Sequence, residues 1–233
     1  MGGLIENVST FGPAIDSLFL LVLALTSVAF VLVEGLLIYF LIRYRGRPGQ
    51  RATYIHGNRP IELFWTVGTG LALLSLALYQ RNTWAMIKQD LPDESTALVI
   101  GLSADQFDWN ATYTGDDGRL HPEWGVEDSA QGDDLLAPPN TLHVPVGRPV
   151  IVWLKSKDVI HSFFIPQFRL KQDTVPGMTI QSWFQATQTG EFEIACAELC
   201  GLGHYRMRGR VTVESPEDFE AWLADLKARR GGG

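Results

Sequence analysis

The sequence predicts an α+β membrane protein in which an N-terminal helical hairpin crosses the membrane and an all-β domain follows outside it. Two long apolar segments occupy most of the first 80 residues. Short β-branched segments, separated by turn residues, begin after residue 90. The chain carries 26 acidic and 19 basic residues, and the acidic ones concentrate in this second part. We therefore divide the chain into a hairpin, residues 1–90, and a β-domain with a C-terminal helix, residues 91–233.

Residues 15–42 form the first apolar segment, which predicts a membrane-spanning helix. At 1.5 Å per residue, about 25 helical residues reach roughly 37 Å, enough to cross a hydrocarbon core of ~30 Å with some tilt. A signal peptide would have a basic start and a shorter apolar run, but no basic residue precedes Arg43. Glu34 lies within the segment. We expect it to face a partner helix or a headgroup layer, with a proton-transfer role as the alternative.

The loop between the two apolar segments predicts the orientation of the hairpin. It is the most basic part of the chain, with Arg43, Arg45, Arg47, Arg51 and Arg59. Basic loops remain in the cytoplasm, and the second apolar segment, residues 61–80, then returns the chain to the outer side. We expect a membrane protein whose β-domain lies on the outer side. Residues 1–10 are expected to be exposed.

Six segments after residue 90 have the apolar and β-branched composition of strands. They are residues 96–100, 142–146, 150–154, 180–186, 191–195 and 208–213. Short strands at close intervals predict a β-sandwich or a barrel. Ser215 and Pro216 then predict the start of a C-terminal helix, because they suit its cap and its first position. The apolar face of this helix comprises Phe219, Trp222, Leu223 and Leu226.

Four residues close together near the C-terminus predict a metal site. Cys196, Cys200, His204 and Met207 offer two thiolates, an imidazole and a thioether, a donor set that suits copper. Two copper ions could share both sulfurs, and His161 is the candidate for the second nitrogen. A disulfide is one alternative in an extracytoplasmic domain, although so short a loop gains little stability from closure. Structural zinc is another, although methionine is not a usual zinc ligand.

This donor pattern, together with the two membrane spans, resembles subunit II of the haem–copper cytochrome c oxidases and its dinuclear copper A centre. The family pattern is C-x-E-x-C-x-x-x-H-x-x-M with an upstream D-V-x-H-S segment, and every position is filled here. The ligands that the resemblance implies are His161, Cys196, Glu198, Cys200, His204 and Met207. Glu198 would bind one copper through its backbone carbonyl, and its side chain would face a magnesium site shared with subunit I. The implied fold of the β-domain is a cupredoxin-like Greek-key barrel.

The resemblance also implies a function. In the family, copper A accepts electrons from cytochrome c and passes them to the haem of subunit I, where oxygen is reduced to water and protons are transferred. This chain would hold no catalytic residue. It has no Cys-x-x-Cys-His motif, so no haem c is expected on it and the donor would be a separate cytochrome c or a haem c-bearing subunit. A copper A subunit of a nitric oxide reductase is the alternative, because the two differ in subunit I.

Two further rivals fit less well. The subunit II of quinol oxidases has lost the copper ligands, which this chain retains. A copper chaperone needs an exchangeable, partly open site, and six closed ligands disfavour that role. The acidic β-domain does not suit a nucleic acid. It suits a cationic protein partner, although solubility alone explains the charge equally well.

Other residues gain expected roles only from the resemblance. Phe107 and Trp109, in Gln-Phe-Asp-Trp, match a Q-W-x-W motif at which the family's electron donor docks; a packed aromatic pair is the alternative. Glu62 matches a residue near the mouth of a proton channel in subunit I, although acidic residues are also common at helix starts. The resemblance also implies three residues at the subunit I interface, Arg169, Lys171 and Asp173. The alternative is that they are simple surface charges.

Overall fold

The computed structural model describes residues 5–125 and 132–231, which belong to two compact units. One unit consists of residues 14–85, with most of the two apolar segments. The other joins the N-terminal residues up to Pro13 to the chain from Met86 onward. The chain therefore leaves the second unit, passes through the apolar segments, and returns to it.

The two apolar segments form long helices, as predicted. Helix α1 spans Gly12–Arg43 and helix α2 spans Arg59–Lys88, and both are long and apolar enough to cross a membrane. Helix α2 continues beyond residue 80 because the following residues contain good helix formers and no proline. Within the two helices, Gly12 alone is buried among the described residues. Their apolar side chains are thus left for lipid or for partner helices to cover.

The second unit is a β-sandwich of two five-stranded sheets in the part of the chain that is described. The strands are β1 Leu98–Asp105, β2 Asp108–Tyr113, β3 Leu135–Leu136, β4 Thr141–Pro145, β5 Val150–Ser156, β6 His161–Ile165, β7 Leu170–Thr174, β8 Ile180–Phe184, β9 Gly190–Cys196 and β10 Arg208–Glu214. The order in one sheet is β3-β2-β1-β5-β8, and in the other β4-β10-β9-β6-β7. Two apolar helices followed by a β-domain are the predicted architecture, which is confirmed.

The two sheets enclose an apolar core in which alternate strand residues point inward. Ile100, Leu102, Val152 and Leu154 have no exposed surface on the central strands β1 and β5. These two strands run parallel, as do β4 and β10. Parallel neighbours cannot be joined by a tight hairpin, so the chain crosses between the sheets. The predicted segments coincide with β1, β4, β5, β8, β9 and β10.

Strands β6 and β7 were not predicted from the sequence. His161 and Ser162 open β6 with polar side chains before the apolar Phe163, Phe164 and Ile165, and β7 is mostly polar. Pairing across the sheet stabilises both, with His161 opposite Thr174 and Ile165 opposite Leu170. Tertiary pairing thus overrides a weak local preference for strand.

The segment before α1 is packed against the β-sandwich, and the expectation that it is exposed was wrong for Val8 and Ser9. Both are buried. The Val8 N–H donates to the Gln167 carbonyl at 2.9 Å, and the Phe11 ring meets Trp183 edge-on with centroids 5.4 Å apart. The segment packs here because its few apolar side chains gain free energy when they are buried. Its backbone also pairs with groups at the edge of a sheet that would otherwise have no partner.

The C-terminal helix α3, Pro216–Gly231, begins where the sequence predicted. The Ser215 hydroxyl accepts the Asp218 N–H at 3.1 Å and donates to the Asp218 carboxylate at 2.8 Å, which caps the helix. Phe219 is 1% exposed. The Trp222 ring stacks on His143 of β4, with centroids 4.2 Å apart and planes 9° apart. The helix therefore covers the edge of the second sheet.

Replacement of Phe219 by alanine should loosen this helix. A buried phenylalanine truncated to alanine typically costs 3–5 kcal/mol, because apolar contact is lost and a cavity remains. We expect Phe219→Ala to lower the free energy of unfolding of the β-sandwich by about 3 kcal/mol or more, measured by urea denaturation with tryptophan fluorescence. Glu220→Ala, at an exposed position on the same helix, should change it by less than about 0.5 kcal/mol. Equal effects of the two substitutions would contradict the packing role.

Candidate metal centre

Strand pairing brings the predicted ligands to one end of the β-sandwich. His161 is the first residue of β6 and Cys196 is the last residue of β9. The two strands are antiparallel neighbours, with Phe163 opposite Cys196. Met207 immediately precedes β10, the other neighbour of β9, and the Cys196 N–H donates to its carbonyl at 3.2 Å. Residues far apart in sequence thus meet because three adjacent strands start or finish there.

The donor atoms of these residues face one another at short distances. The sulfurs of Cys196 and Cys200 are 3.8 Å apart, and the Cys200 sulfur lies 3.6 Å from His204 Nδ1. His161 Nδ1 lies 3.1 Å from the Met207 sulfur, which is 3.8 Å from the Cys200 sulfur. One donor atom from each of His161, Cys196 and Cys200 can be chosen so that all three lie within 4.8 Å of one another. The structure brings all four side chains of the sequence motif together with His161.

Glu198 contributes to this cluster through its backbone. Its carbonyl oxygen lies 3.2 Å from the Cys196 sulfur, while its side chain is exposed. The carbonyl thus faces the sulfurs and the carboxylate faces outward, and the roles expected for Glu198 stay a prediction. The side chain is free to meet a partner at the surface.

The chemistry of the cluster fits a soft metal. Two sulfurs, two ring nitrogens, a thioether and a carbonyl converge, and His161 and Met207 are almost completely buried. Both cysteines are free, and a sulfur separation of 3.8 Å is far from a disulfide bond length of about 2.0 Å. A structural zinc site uses four ligands, fewer than the donors gathered here. The residues therefore suit copper, and would suit two ions that share the sulfurs.

The Cys200 thiol resists ionisation. Burial, followed by the neighbouring Cys196 thiol, raises the pKa of Cys200 to about 11. A metal ion binds the thiolate form, so it must displace the Cys200 proton when it enters. The site consequently favours metals with high affinity for thiolate sulfur.

Comparisons with known proteins match both parts of the chain. A family model described as cytochrome C oxidase subunit II, transmembrane domain, matches residues 5–81. A second, described as cytochrome C oxidase subunit II, periplasmic domain, matches residues 99–215. The chain belongs to the cytochrome c oxidase subunit II family. It is a membrane protein with a periplasmic domain, and the family resemblance predicted from the sequence is confirmed.

Individual relatives agree with this family membership. The alternative cytochrome c oxidase subunit 2 of Bradyrhizobium diazoefficiens is 34% identical over 219 residues, which cover 89% of this chain and 78% of that protein. Cytochrome c oxidase subunit 2 of Thermostichus vulcanus is 31% identical over 279 aligned positions, covering 97% and 79%. The solved periplasmic domain of subunit II of cytochrome oxidase from Bradyrhizobium japonicum is 28% identical, with a TM-score of 0.47, over 60% of this chain and 98% of that one. Subunits of this family are parts of an oxidoreductase complex.

Phe107 and Trp109 lie on two sides of the cluster of donor side chains. Phe107 is partly exposed, packs against Gly201 and Gly203 of the cysteine loop, and has the Arg206 guanidinium 5.6 Å from its ring centre. Trp109 is 1% exposed, and its ring is edge-on to His161 with centroids 6.3 Å apart. Phe107 is therefore at the surface of the centre, whereas Trp109 is inside the domain.

The three residues expected at a subunit I interface lie next to β6. The Asp173 carboxylate accepts hydrogen bonds from Lys171 at 2.8 Å and from Ser162 at 2.7 Å. These two bonds, the lysine's first, hold the pKa of Asp173 below its ordinary value. Ser162 directly follows His161 in β6, so Asp173 lies next to the strand that carries His161. Arg169 donates to the carbonyls of Pro166 and Ile5, which ties it to the N-terminal segment.

Glu62 belongs to the other compact unit. It lies in the first turn of α2, and its N–H donates to the Asn58 carbonyl at 3.0 Å. An acidic side chain in this position stabilises the helix, because it lies at the positive end of the helix dipole. Its placement is therefore explained by the helix start, and a channel role stays a prediction from the resemblance.

Two residues that contact the ligands were not singled out from the sequence. Asp158 Oδ1 lies 2.8 Å from His161 Nε2, and the Gln106 side chain donates to the Cys200 carbonyl. Burial would raise the pKa of Asp158, but hydrogen bonds from His161, Val159 and Gln106 outweigh it and lower this pKa. The signal for Asp158 was the i, i+3 spacing to a ligand histidine. Gln106 is the first residue of the Gln-Phe-Asp-Trp match, but that motif does not reveal its contact, which depends on the turn between β1 and β2.

The close packing of Phe107 on the cysteine loop predicts a specific steric effect. A methyl group at Gly203 would lie 2.4 Å from the Phe107 ring, so Gly203→Ala must displace the ring or the loop. We expect a loss of about 1–3 kcal/mol of stability in urea denaturation, largely recovered when Phe107→Ala is added. Gly46→Ala, where the new methyl meets nothing within 4 Å, serves as the control. A double variant as unstable as Gly203→Ala alone would contradict the contact.

Proposed function

We propose that this chain is the subunit of a haem–copper terminal oxidase that receives electrons from cytochrome c, in a bacterial inner membrane. The observation that supports it most is the convergence of all the expected copper A donors at one end of the β-sandwich. The donors that would hold the two ions are His161, Cys196, Glu198 (backbone carbonyl), Cys200, His204 and Met207. When bound, the copper pair supplies a one-electron carrier.

The protein part of such a centre favours electron transfer over substrate chemistry. Each cysteine can offer its sulfur to both ions, and one histidine nitrogen is available for each. These donors leave no free position for a substrate, whereas catalytic metal sites keep one. His161, Cys196 and Met207 are held at the ends of strands β6, β9 and β10, and His161 is fully buried, so these donors change position little. Small geometric change between the two oxidation states makes electron transfer fast.

The surface around the centre suits a docking partner. Leu199, Leu202 and Tyr205 of the cysteine loop are 84%, 98% and 78% exposed, and Phe107, in the turn between β1 and β2, packs against Gly201 and Gly203 of the same loop. Exposed apolar groups are typical of interaction sites. The chain has a net charge of −7, which would attract a cationic cytochrome c or a haem c-bearing subunit. We assign Phe107 to the point where the electron arrives, and Trp109 to the interior next to His161.

Transfer of the electron requires a subunit I. We assign the interface to Arg169, Lys171, Asp173 and the exposed Glu198 side chain, which would face a shared magnesium ion. Glu62 is assigned to the mouth of a proton channel in that subunit. Oxygen reduction and proton transfer would then take place on subunit I. A nitric oxide reductase subunit is the rival, and the names of the relatives favour the oxidase.

Copper loading tests the proposal directly. The full chain in detergent should bind two copper ions and give near-infrared absorption and a seven-line electron paramagnetic resonance spectrum, because one unpaired electron is shared by both ions. Cys196→Ser should abolish this spectrum, since a shared sulfur is lost. Met207→Leu is the matched variant and should keep both ions with a changed reduction potential, because a thioether would be a weak ligand that tunes the potential more than it holds the metal. A two-copper spectrum that survives Cys196→Ser would contradict the proposal.

Electron arrival at Phe107 has its own test. Phe107→Ala should lower kcat/KM for reduced cytochrome c by about 10–30-fold, because loss of an aromatic anchor at an interface costs roughly 1.4–2 kcal/mol. Phe107→Trp, which retains an aromatic ring, should keep most of the rate. Copper content measured in each variant controls for damage to the centre. Unchanged turnover of Phe107→Ala at full copper content would refute the assignment.

A further inference from the structure

We propose that Asp158 is a positioning residue for the metal centre, which orients His161 and, through Gln106, ties the two ligand loops together. The inference rests on the proposed copper site and adds the residues that hold it in shape. Neither residue offers a metal donor of its own in the arrangement described above. Their role is therefore exerted through His161 and through the Cys200 loop.

The first step is the orientation of the His161 ring. Its Nε2 lies 2.8 Å from the Asp158 carboxylate, and its Nδ1 lies on the opposite side, 3.1 Å from the Met207 sulfur. An ionised carboxylate can only accept a hydrogen bond, so Nε2 is the ring nitrogen that donates to Asp158. Nδ1 points into the cluster of sulfurs, and in the neutral ring it keeps the lone pair that a metal ion needs. Asp158 thus selects the nitrogen that binds metal and the tautomer that makes binding feasible.

The second step is the rigidity of Asp158 itself. Its Oδ1 also accepts the Val159 N–H at 2.6 Å, and its Oδ2 accepts the Gln106 N–H at 2.8 Å. Two backbone donors on different segments therefore fix the carboxylate in one orientation. The side chain is 30% exposed while His161 is completely buried. The carboxylate therefore stands between solvent and the ligand, at the rim of the site.

The third step is the connection to the cysteine loop. Gln106, in the turn between β1 and β2, holds Asp158 with its backbone N–H and the Cys200 carbonyl with its side-chain amide. Gly201 leaves room for this bond, because a methyl group there would lie 2.6 Å from the amide nitrogen of Gln106. Gly201 also has φ +135°, a backbone conformation that favours glycine. One turn thus links the loop before His161 to the loop that carries Cys200.

The consequence is a defined separation between donors that come from different strands. His161 is supplied by β6, whereas Cys200 lies beyond the end of β9 in a loop with exposed residues on either side. Without the turn, backbone pairing would fix Cys196 but leave Cys200 dependent on its own loop. Partners that orient metal ligands typically contribute 10–100-fold to metal affinity or activity. We expect the pair to act in that range.

The experiment uses the full chain in detergent and two readouts. In metal-free protein with ¹⁵N-labelled histidine, nuclear magnetic resonance reports which ring nitrogen of His161 carries the proton. In copper-loaded protein, competition with a chelator reports the copper dissociation constant. The variants are Asp158→Ala, Asp158→Asn and Gln106→Ala. Asp225→Asn, which breaks an exposed ion pair with Arg229 in α3, is the matched control.

Each variant has a distinct expected result. Asp158→Ala should give a mixture of His161 tautomers and raise the copper dissociation constant 10–100-fold. Asp158→Asn keeps an acceptor oxygen for Nε2, so it should keep the tautomer and raise the constant less than Asp158→Ala does. Gln106→Ala should leave the tautomer unchanged and still weaken copper binding. Asp225→Asn should match the wild type in both readouts.

The outcomes separate this inference from the proposed function. A wild-type chain that never forms two-copper spectra would defeat the proposed function, while the tautomer readout would still test the role of Asp158. A wild-type chain that loads normally, with Asp158→Ala retaining one tautomer and copper affinity within threefold, would overturn the inference. Asp158→Asn guards against misfolding of the alanine variant, because it preserves the size and shape of the side chain.

Discussion

The metal centre depends on the register in which β6, β9 and β10 pair. Phe163 lies opposite Cys196, and Arg208 lies opposite Ala195. A shift of one residue in either pairing would turn every side chain of the shifted strand to the other face of the sheet. His161 would then leave the interior, where it is completely buried. The apolar core therefore determines the geometry of the ligands, because the register that buries the core residues is also the register that gathers the donors.

A layer of contacts around the centre completes what the register leaves open. The strands fix His161, Cys196 and Met207, but the loop from residue 197 to 206 has little regular structure apart from a short 3-10 turn. Gln106 and Phe107 lie against this loop from the turn between β1 and β2. The first sheet thereby holds a loop that belongs to the second. A site built at the rim of a sandwich gains rigidity from both sheets, which suits a centre whose ligands must change position little.

The β-sandwich also contacts the residues that precede α1 and those at the end of α2. The N-terminal segment packs through Val8 and Phe11 before α1 begins. At the end of α2, the Trp183 ring N–H donates to the Ile87 carbonyl at 3.0 Å. Trp183 contacts both segments, since the Phe11 ring also lies against it. The residues that precede the apolar helices and those at the end of α2 are therefore packed on one domain.

The sequence alone determined the features that reside in local composition and in the chemistry of side chains. Hydropathy and length determined the two apolar helices, and the donor types of Cys196, Cys200 and Met207 determined a soft-metal site. Tertiary structure alone decided the pairing of the strand that begins at His161, the ring nitrogen of that residue that faces the sulfurs, and the contact of Asp158 with the other ring nitrogen. The physical reason is range. Composition and donor chemistry act within a segment, whereas the direction of a side chain and its neighbours depend on strands paired across the fold.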